Sequence, residues 1–232
     1  MASQLEIVGQ DGGFKGYLSL PKSGRGPGVV LLQEIFGINA YMRQMADLFA
    51  AEGFVAVVPD LFWRMEPGVD LDYSERDKAV SFMKHFDFVP APGDIAATVK
   101  ALRAHSAVSG GVGVLGYCLG GKLAVLAAAQ GGVACTVSYY GVGIENILDE
   151  AKRATCPMLL HFGELDHNSP PAVIEKIAAA LSDHPNVAIH VYPNADHGFN
   201  SAARAAFNQN ASMQAHARTM AFFRTHLPAT PS

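Results

Sequence analysis

Val112-Gly113-Val114-Leu115-Gly116-Tyr117-Cys118-Leu119-Gly120-Gly121-Lys122, continuing to Ala129, joins two apolar runs through a glycine-flanked cysteine. Val112–Leu115 has the length and apolarity of a buried strand, and Leu119–Gln130 contains no proline and reads as a helix. The spacing therefore predicts strand, tight turn and helix, with the Cys118 sulfur at the apex. Glycines flank such an apex because the residue there is held in a strained conformation and the two elements approach too closely for side chains. The pattern is G-x-S-x-G with sulfur in place of oxygen, the arrangement that presents a nucleophile at the top of a sheet.

A nucleophile needs a base, and a base needs an orienting acid. Downstream lie Asp166, in Glu164-Leu165-Asp166-His167, and His197, in Asp196-His197-Gly198-Phe199. The order nucleophile, acid, histidine is the one α/β-hydrolases use, so Cys118, Asp166 and His197 are the predicted triad. Gly116, Gly121 and Lys122 also satisfy most of a phosphate-binding G-x-x-x-x-G-K loop. The position that should carry a magnesium-binding hydroxyl is Leu123, which rejects nucleotide binding.

Short apolar runs recur with helical patterns between them: Gly28–Gln33, Phe54–Val58, Val112–Leu115, Ala134–Tyr139, Met158–Phe162 and Val187–Tyr192. Runs apolar on both faces, separated by amphipathic helices, imply an α/β fold with a mostly parallel sheet covered on both sides. Leu5–Val8 and Phe14–Leu20 flank Gln10-Asp11-Gly12-Gly13, which predicts a small antiparallel N-terminal edge. Helices are expected over Asn39–Glu52, Tyr73–Phe86, Asp94–His105, Leu119–Gln130, Pro170–Asp183 and Gln209–His226, with Leu61–Asp72 as a long irregular segment. Nothing divides the sequence into parts, so residues 1–232 are expected to form one domain. Glu34, Cys118, Asp166 and His197 all fall just beyond strand C-termini, where ligands bind in open α/β sheets.

Composition narrows the function classes. The 232 residues are 50% hydrophobic and 16% charged, with a formal net charge of −4 and scattered Lys and Arg. That is a globule without the basic footprint of a nucleic-acid binder. The uncharged stretch Leu123–Ile144 is long enough for a bilayer but is broken by Gln130-Gly131-Gly132, so it reads as core helix plus strand, and no membrane segment is expected. Three cysteines and an N-terminus without a secretory pattern suit a cytoplasmic protein with reduced thiols. Cys135 and Cys156 read as packing residues. No histidine pair has the spacing of a zinc hydrolase, so no metal is expected.

Taken together, Gln33-Glu34-Ile35-Phe36-Gly37, Gly116-Tyr117-Cys118-Leu119-Gly120-Gly121, Tyr139-Tyr140-Gly141-Val142-Gly143 and the acid and histidine motifs resemble the dienelactone hydrolase family of the α/β-hydrolase fold. The resemblance spans nearly the whole chain. It implies a monomeric, cofactor-free hydrolase that opens small carboxylated enol-lactones, typically dienelactone to maleylacetate. It further implies that Glu34 holds the resting thiol and releases it when substrate binds, and that the backbone N–H groups of Leu119 and Ile35 form the oxyanion hole. Of the two arginines that anchor the substrate carboxylate in this family, Arg76 matches the first. The second position is Ser201, and Arg204 lies three residues beyond it. Phe36, Trp63, Phe82, Tyr140 and Phe199 are available to line an apolar pocket. Two rival readings remain at this level: a general small-ester carboxylesterase, and a redox-sensing or ligand-binding protein whose thiol is never acylated.

Overall fold

The computed structural model describes residues 2–228. Eight strands form one sheet: β1 (Ala2–Val8), β2 (Gly13–Ser19), β3 (Gly26–Leu32), β4 (Val55–Pro59), β5 (Val108–Tyr117), β6 (Thr136–Tyr139), β7 (Met158–Gly163) and β8 (Val187–Tyr192). Their spatial order is β1-β2-β4-β3-β5-β6-β7-β8. From β4 to β8 every pairing is parallel, while β1–β2 and β2–β4 are antiparallel, so the expected N-terminal edge is present.

The alternation of β3 shows how the core is built. Val29 and Leu31 point to one face and Val30 and Leu32 to the other, and all four are fully buried. Each such side chain contributes about 1.5–3 kcal/mol by leaving water. On the first face lie α1 (Ala40–Ala51) and α7 (Gln209–His226), which bring Met42, Phe49, Met220 and Phe223. The opposite face is covered by α3 (Ala91–Ala104) and α4 (Leu119–Gln130), and further along by α5 (Leu148–Ala151) and α6 (Pro171–Ala180).

Several boundaries differ from the sequence expectation, each for a local reason. α2 starts at Arg76, not Tyr73, because Asp72 and Glu75 close a turn: Ser74 N donates to Asp72 Oδ1 and Asp72 N to Glu75 Oε2, each at 2.9 Å. α3 starts three residues early because its proline falls in the first turn, where a missing N–H costs nothing. The 3-10 turn Ile144–Asn146 and α5 are single turns with too little periodicity to be read in advance. β8 is half exposed, as an edge strand can be, and does not share the two-sided burial of its neighbours.

The irregular segment 61–72 is fastened to the loop that follows β3. Ile38 N donates to Val69 O and Leu71 N to Phe36 O, at 2.9 and 3.0 Å. His161, on β7, is fully buried and satisfied by the Tyr192 hydroxyl at 2.8 Å and the Thr219 hydroxyl at 3.1 Å. Its burial, followed by the charges of His190 and Arg218, holds the imidazole well below its ordinary range, so it is a neutral core residue.

Two glycines of opposite character test this packing. A Cβ on Gly120 would lie 2.3 Å from Leu32 O and 2.8 Å from Gln33 O, whereas one on Gly93, in α3, would meet nothing within 4 Å. Gly120→Ala should cost more than about 2 kcal/mol in urea unfolding, because backbone cannot yield to it. Gly93→Ala should be neutral or stabilise by up to about 1 kcal/mol through helix propensity. Equal effects of the two would refute the close approach.

Candidate active site

β5 ends at Tyr117 and α4 begins at Leu119, so Cys118 alone makes the turn, at φ 54° and ψ −112°. Such backbone in a residue with a Cβ costs of order 1–3 kcal/mol and persists only where its surroundings over-determine it. Here Cys118 N donates to Tyr139 O at 3.0 Å, while Cys118 O accepts from Gly121 N at 3.0 Å and Val142 N at 3.3 Å. The side chain is partly exposed and sits at the N-terminal end of a 12-residue helix, whose dipole favours an anion.

Asp166 and His197 meet from the loops after β7 and β8. His197 Nδ1 lies 2.8 Å from Asp166 Oδ2, with the two side chains 8% and 0% exposed. Asn168 N donates to Asp166 Oδ1 at 2.8 Å, so the carboxylate is fixed from two sides. Burial pushes the Asp166 carboxyl up, but the hydrogen bond and charge of His197 and the Asn168 donors together bring it below its ordinary range. Burial alone would likewise lower His197. The negative charge of a Cys118 thiolate, followed by the Asp166 hydrogen bond, overcomes it and raises the imidazole to about 10. An imidazolium facing a thiolate and oriented by a carboxylate is the charge distribution an activated cysteine requires.

Glu34 follows β3 and is 1% exposed, a buried acid and not a surface one. Tyr73 Oη donates to its Oε2 at 2.8 Å and Arg204 Nη1 to its Oε1 at 3.1 Å. Ser201 Oγ in turn donates to Tyr73 Oη at 3.0 Å, and the Arg204 guanidinium lies 5.4 Å over the Tyr73 ring. Neither Glu34 bond is to Cys118, in contrast to the resting contact the family resemblance implies. Burial lowers the Arg204 affinity for its proton, and the Glu34 charge, joined by Tyr140, Tyr73 and Cys118, more than restores it. Gly198 makes room for this arginine: it has φ 81°, and a Cβ would run into the guanidinium.

The segments that carry Ile35 and Leu119 are tied by Gly120 N donating to Gln33 O at 3.1 Å. The N–H groups of Ile35 and Leu119 donate to no described residue.

The aromatic residues divide. Phe36 is buried edge-on to Tyr73, at 4.8 Å between centroids. Trp63 does not join them; it stacks on Phe14 at the antiparallel edge, and Phe82 stacks on Phe62. Tyr140 is entirely buried and packs its ring against His197, so it backs the histidine and does not face a substrate. Arg76 is exposed at the start of α2 and forms no ion pair among the described residues. A cavity of about 490 Å³ lies by β2 and residues 60–70, lined by Phe14, Trp63 and Arg43 and by none of Cys118, Asp166 and His197.

Sequence reasoning missed Tyr73, absorbed there into a helix, and left Arg204 uncommitted. The tyrosine has no sequence signal of its own, whereas a free arginine near a vacated arginine position is one that could have been pressed further. Ligand atoms of Asp166, His167 and Asp196 lie within 4.8 Å of one another, but Asp166 is already committed to His197 and Asn168. Cys135 and Cys156 are buried and free of disulfides; burial raises both thiols, that of Cys156 to about 11. No described helix is long and apolar enough to cross a membrane.

Comparison with known proteins settles the family. The profile of the dienelactone hydrolase family matches residues 14–227. The chain belongs to the dienelactone hydrolase family. It is 38% identical over 228 residues to the carboxymethylenebutenolidase of Pseudomonas sp. (strain P51), covering 97% of this chain and 95% of that one. It is 36% identical over 228 residues to carboxymethylenebutenolidase 1 of Cupriavidus pinatubonensis, covering 95% of each. A solved Klebsiella pneumoniae structure assigned to the same family superposes with a TM-score of 0.84 at 26% identity, covering 96% of this chain and 98% of that one. The fold is thus the α/β-hydrolase fold, and the chain is a carboxylic ester or lactone hydrolase.

The coupling of His197 to the sulfur is measurable. In Cys118→Ala the imidazole loses the largest of the influences that raise it, so its titration midpoint, followed by NMR, should fall from about 10 toward 6.5. A midpoint unmoved by the substitution would separate the two side chains.

Proposed function

We propose that the chain hydrolyses carboxylated enol-lactones, dienelactone foremost, through a thioester on Cys118. The observation that carries the reading is the strained Cys118 apex on the same rim as the His197–Asp166 pair, at 2.8 Å. The Cys118 thiolate attacks the lactone carbonyl, and the developing oxyanion is taken by the N–H groups of Ile35 and Leu119. As the ring C–O bond breaks, the leaving enolate oxygen receives a proton from the His197 imidazolium. Water then attacks the thioester carbonyl while His197 accepts its proton, and the Cys118 thiolate leaves, which restores the thiolate–imidazolium pair. Asp166 keeps the imidazole oriented through both halves. The enol product is the tautomer of maleylacetate, and no metal or cofactor has a part in these steps.

Recognition of the substrate carboxylate falls to Arg204. Ser201 occupies the family's second arginine position, and the cation of Arg204 returns to the same pocket, where Glu34 neutralises it in the resting site. A substrate carboxylate competes with Glu34 for that guanidinium and frees Glu34 near the thiol. This links binding to activation and accounts for a buried acid beside a nucleophile. The exposed, unpaired Arg76 is available as a second anchor. The redox-sensor reading lacks support, since Cys135 and Cys156, the other thiols, are buried and raised by burial.

Purified protein should turn over dienelactone, and Cys118→Ala should not; turnover by the variant would end the nucleophile assignment. Arg204→Gln, which keeps a donor for Glu34, should lower kcat/KM for dienelactone by roughly ten- to a hundredfold, the worth of a charge-assisted hydrogen bond. Its effect on p-nitrophenyl acetate should be much smaller. Equal losses on charged and neutral substrates would show Arg204 to be structural and the enzyme to be a general esterase.

A further inference from the structure

Tyr140 combines three features that seldom coincide without a role. It follows β6 with φ 39°, in the left-handed region that a residue with a Cβ avoids. Its side chain is 0% exposed, yet the hydroxyl makes no hydrogen bond of full geometry; the Tyr41 hydroxyl is near enough to interact with it but does not satisfy it. Its ring lies 5.1 Å from the His197 imidazole, at 67° between planes, and 5.4 Å from Phe199.

The conformation is enforced from both sides. Tyr140 N donates to His161 O at 2.8 Å, and the next residue, Gly141, is pressed so closely on Gly121 that a Cβ there would lie 3.0 Å from the Gly121 carbonyl carbon. The ring is therefore a fixed wall behind the histidine, and phenylalanine would supply that wall equally well. The hydroxyl needs a separate explanation, because a buried donor without an acceptor is destabilising. Its polar surroundings are the Tyr41 hydroxyl, Glu34 and Arg204, and burial keeps the phenol protonated, a neutral donor. Glu34 is the group that would need such a donor. Once a carboxylate on the substrate takes Arg204, Glu34 is left as a buried carboxylate short of one partner.

We propose that Tyr140 is a positioning residue with two parts: its ring fixes the His197 imidazole, and its hydroxyl receives the Glu34 carboxylate when a ligand carboxylate displaces it from Arg204. The second part rests on the proposed role of Arg204, but it can be read without lactone turnover. Iodoacetate and iodoacetamide both alkylate a thiolate, with the same displacement of iodide by sulfur, and only iodoacetate brings a carboxylate to Arg204.

The experiment compares the two alkylation rates of Cys118 in the wild type, Tyr140→Phe and Tyr140→Leu, with thermal midpoints for each. Tyr140→Phe should lower the ratio of the iodoacetate rate to the iodoacetamide rate about tenfold, as expected for losing one hydrogen bond to a charged group. It should do so without lowering the thermal midpoint, since it removes an unpaired buried hydroxyl. Tyr140→Leu should slow both reagents, because the imidazole loses its wall. A wild-type ratio in Tyr140→Phe would overturn the role of the hydroxyl, and wild-type rates in Tyr140→Leu would overturn that of the ring. Failure of the wild type to hydrolyse dienelactone would instead strike the proposed reaction and leave both comparisons readable.

Discussion

The close approach of the α4 N-terminus to the end of β3 is the constraint on which the site depends. Gly120 donates its N–H to Gln33 O with no room for a Cβ between them. That contact sets where the helix begins, and so leaves Cys118 alone to make the turn at positive φ. It also holds Glu34 and Ile35, the two residues after Gln33, beside the turn. Thiol, buried acid and the N–H groups of Ile35 and Leu119 are therefore placed by one backbone contact, and the cost of the strained apex is met by hydrogen bonds from β6 and the segment after it.

A second constraint is electrostatic. The site buries an acid, an arginine and an acid–imidazole pair within a small volume, and each is tolerated because it is paired. Glu34 and Arg204 neutralise each other, and Asp166 pairs with His197. In the proposed reaction a carboxylate that engages Arg204 alters the partners of Glu34 without any large motion. Tyr73 and Ser201 extend the same network by hydrogen bonds of 2.8 and 3.0 Å.

Much of this was legible before the fold was known. The strand–Cys–helix pattern carried the architecture because the glycine spacing reports a backbone contact directly. The order of Asp166 and His197 after Cys118 anticipated that the acid and the histidine would meet, and both follow strand ends by topology. What sequence could not reveal were relations between side chains on separate loops. Tyr73 was hidden in an apparent helix because Asp72 and Glu75 compete for the backbone, and a turn forms instead. Tyr140 looked like a pocket residue because aromatics next to a site motif suit either role, and only its burial behind His197 distinguishes them. Trp63 was drawn away by stacking on Phe14. Arg204 is off the family position by three residues, and its reach depends on Gly198, whose missing side chain is a fact of packing.

The central claim is that Cys118 becomes acylated. Opening a lactone expels no fragment, so the acyl-enzyme carries the entire substrate. Rapid-quench intact-mass analysis of the enzyme mixed with dienelactone should show a transient species heavier by the whole lactone, mapped to the Cys118 peptide by proteolysis. Turnover of dienelactone with no such adduct, or with the adduct on any other residue, would contradict the account.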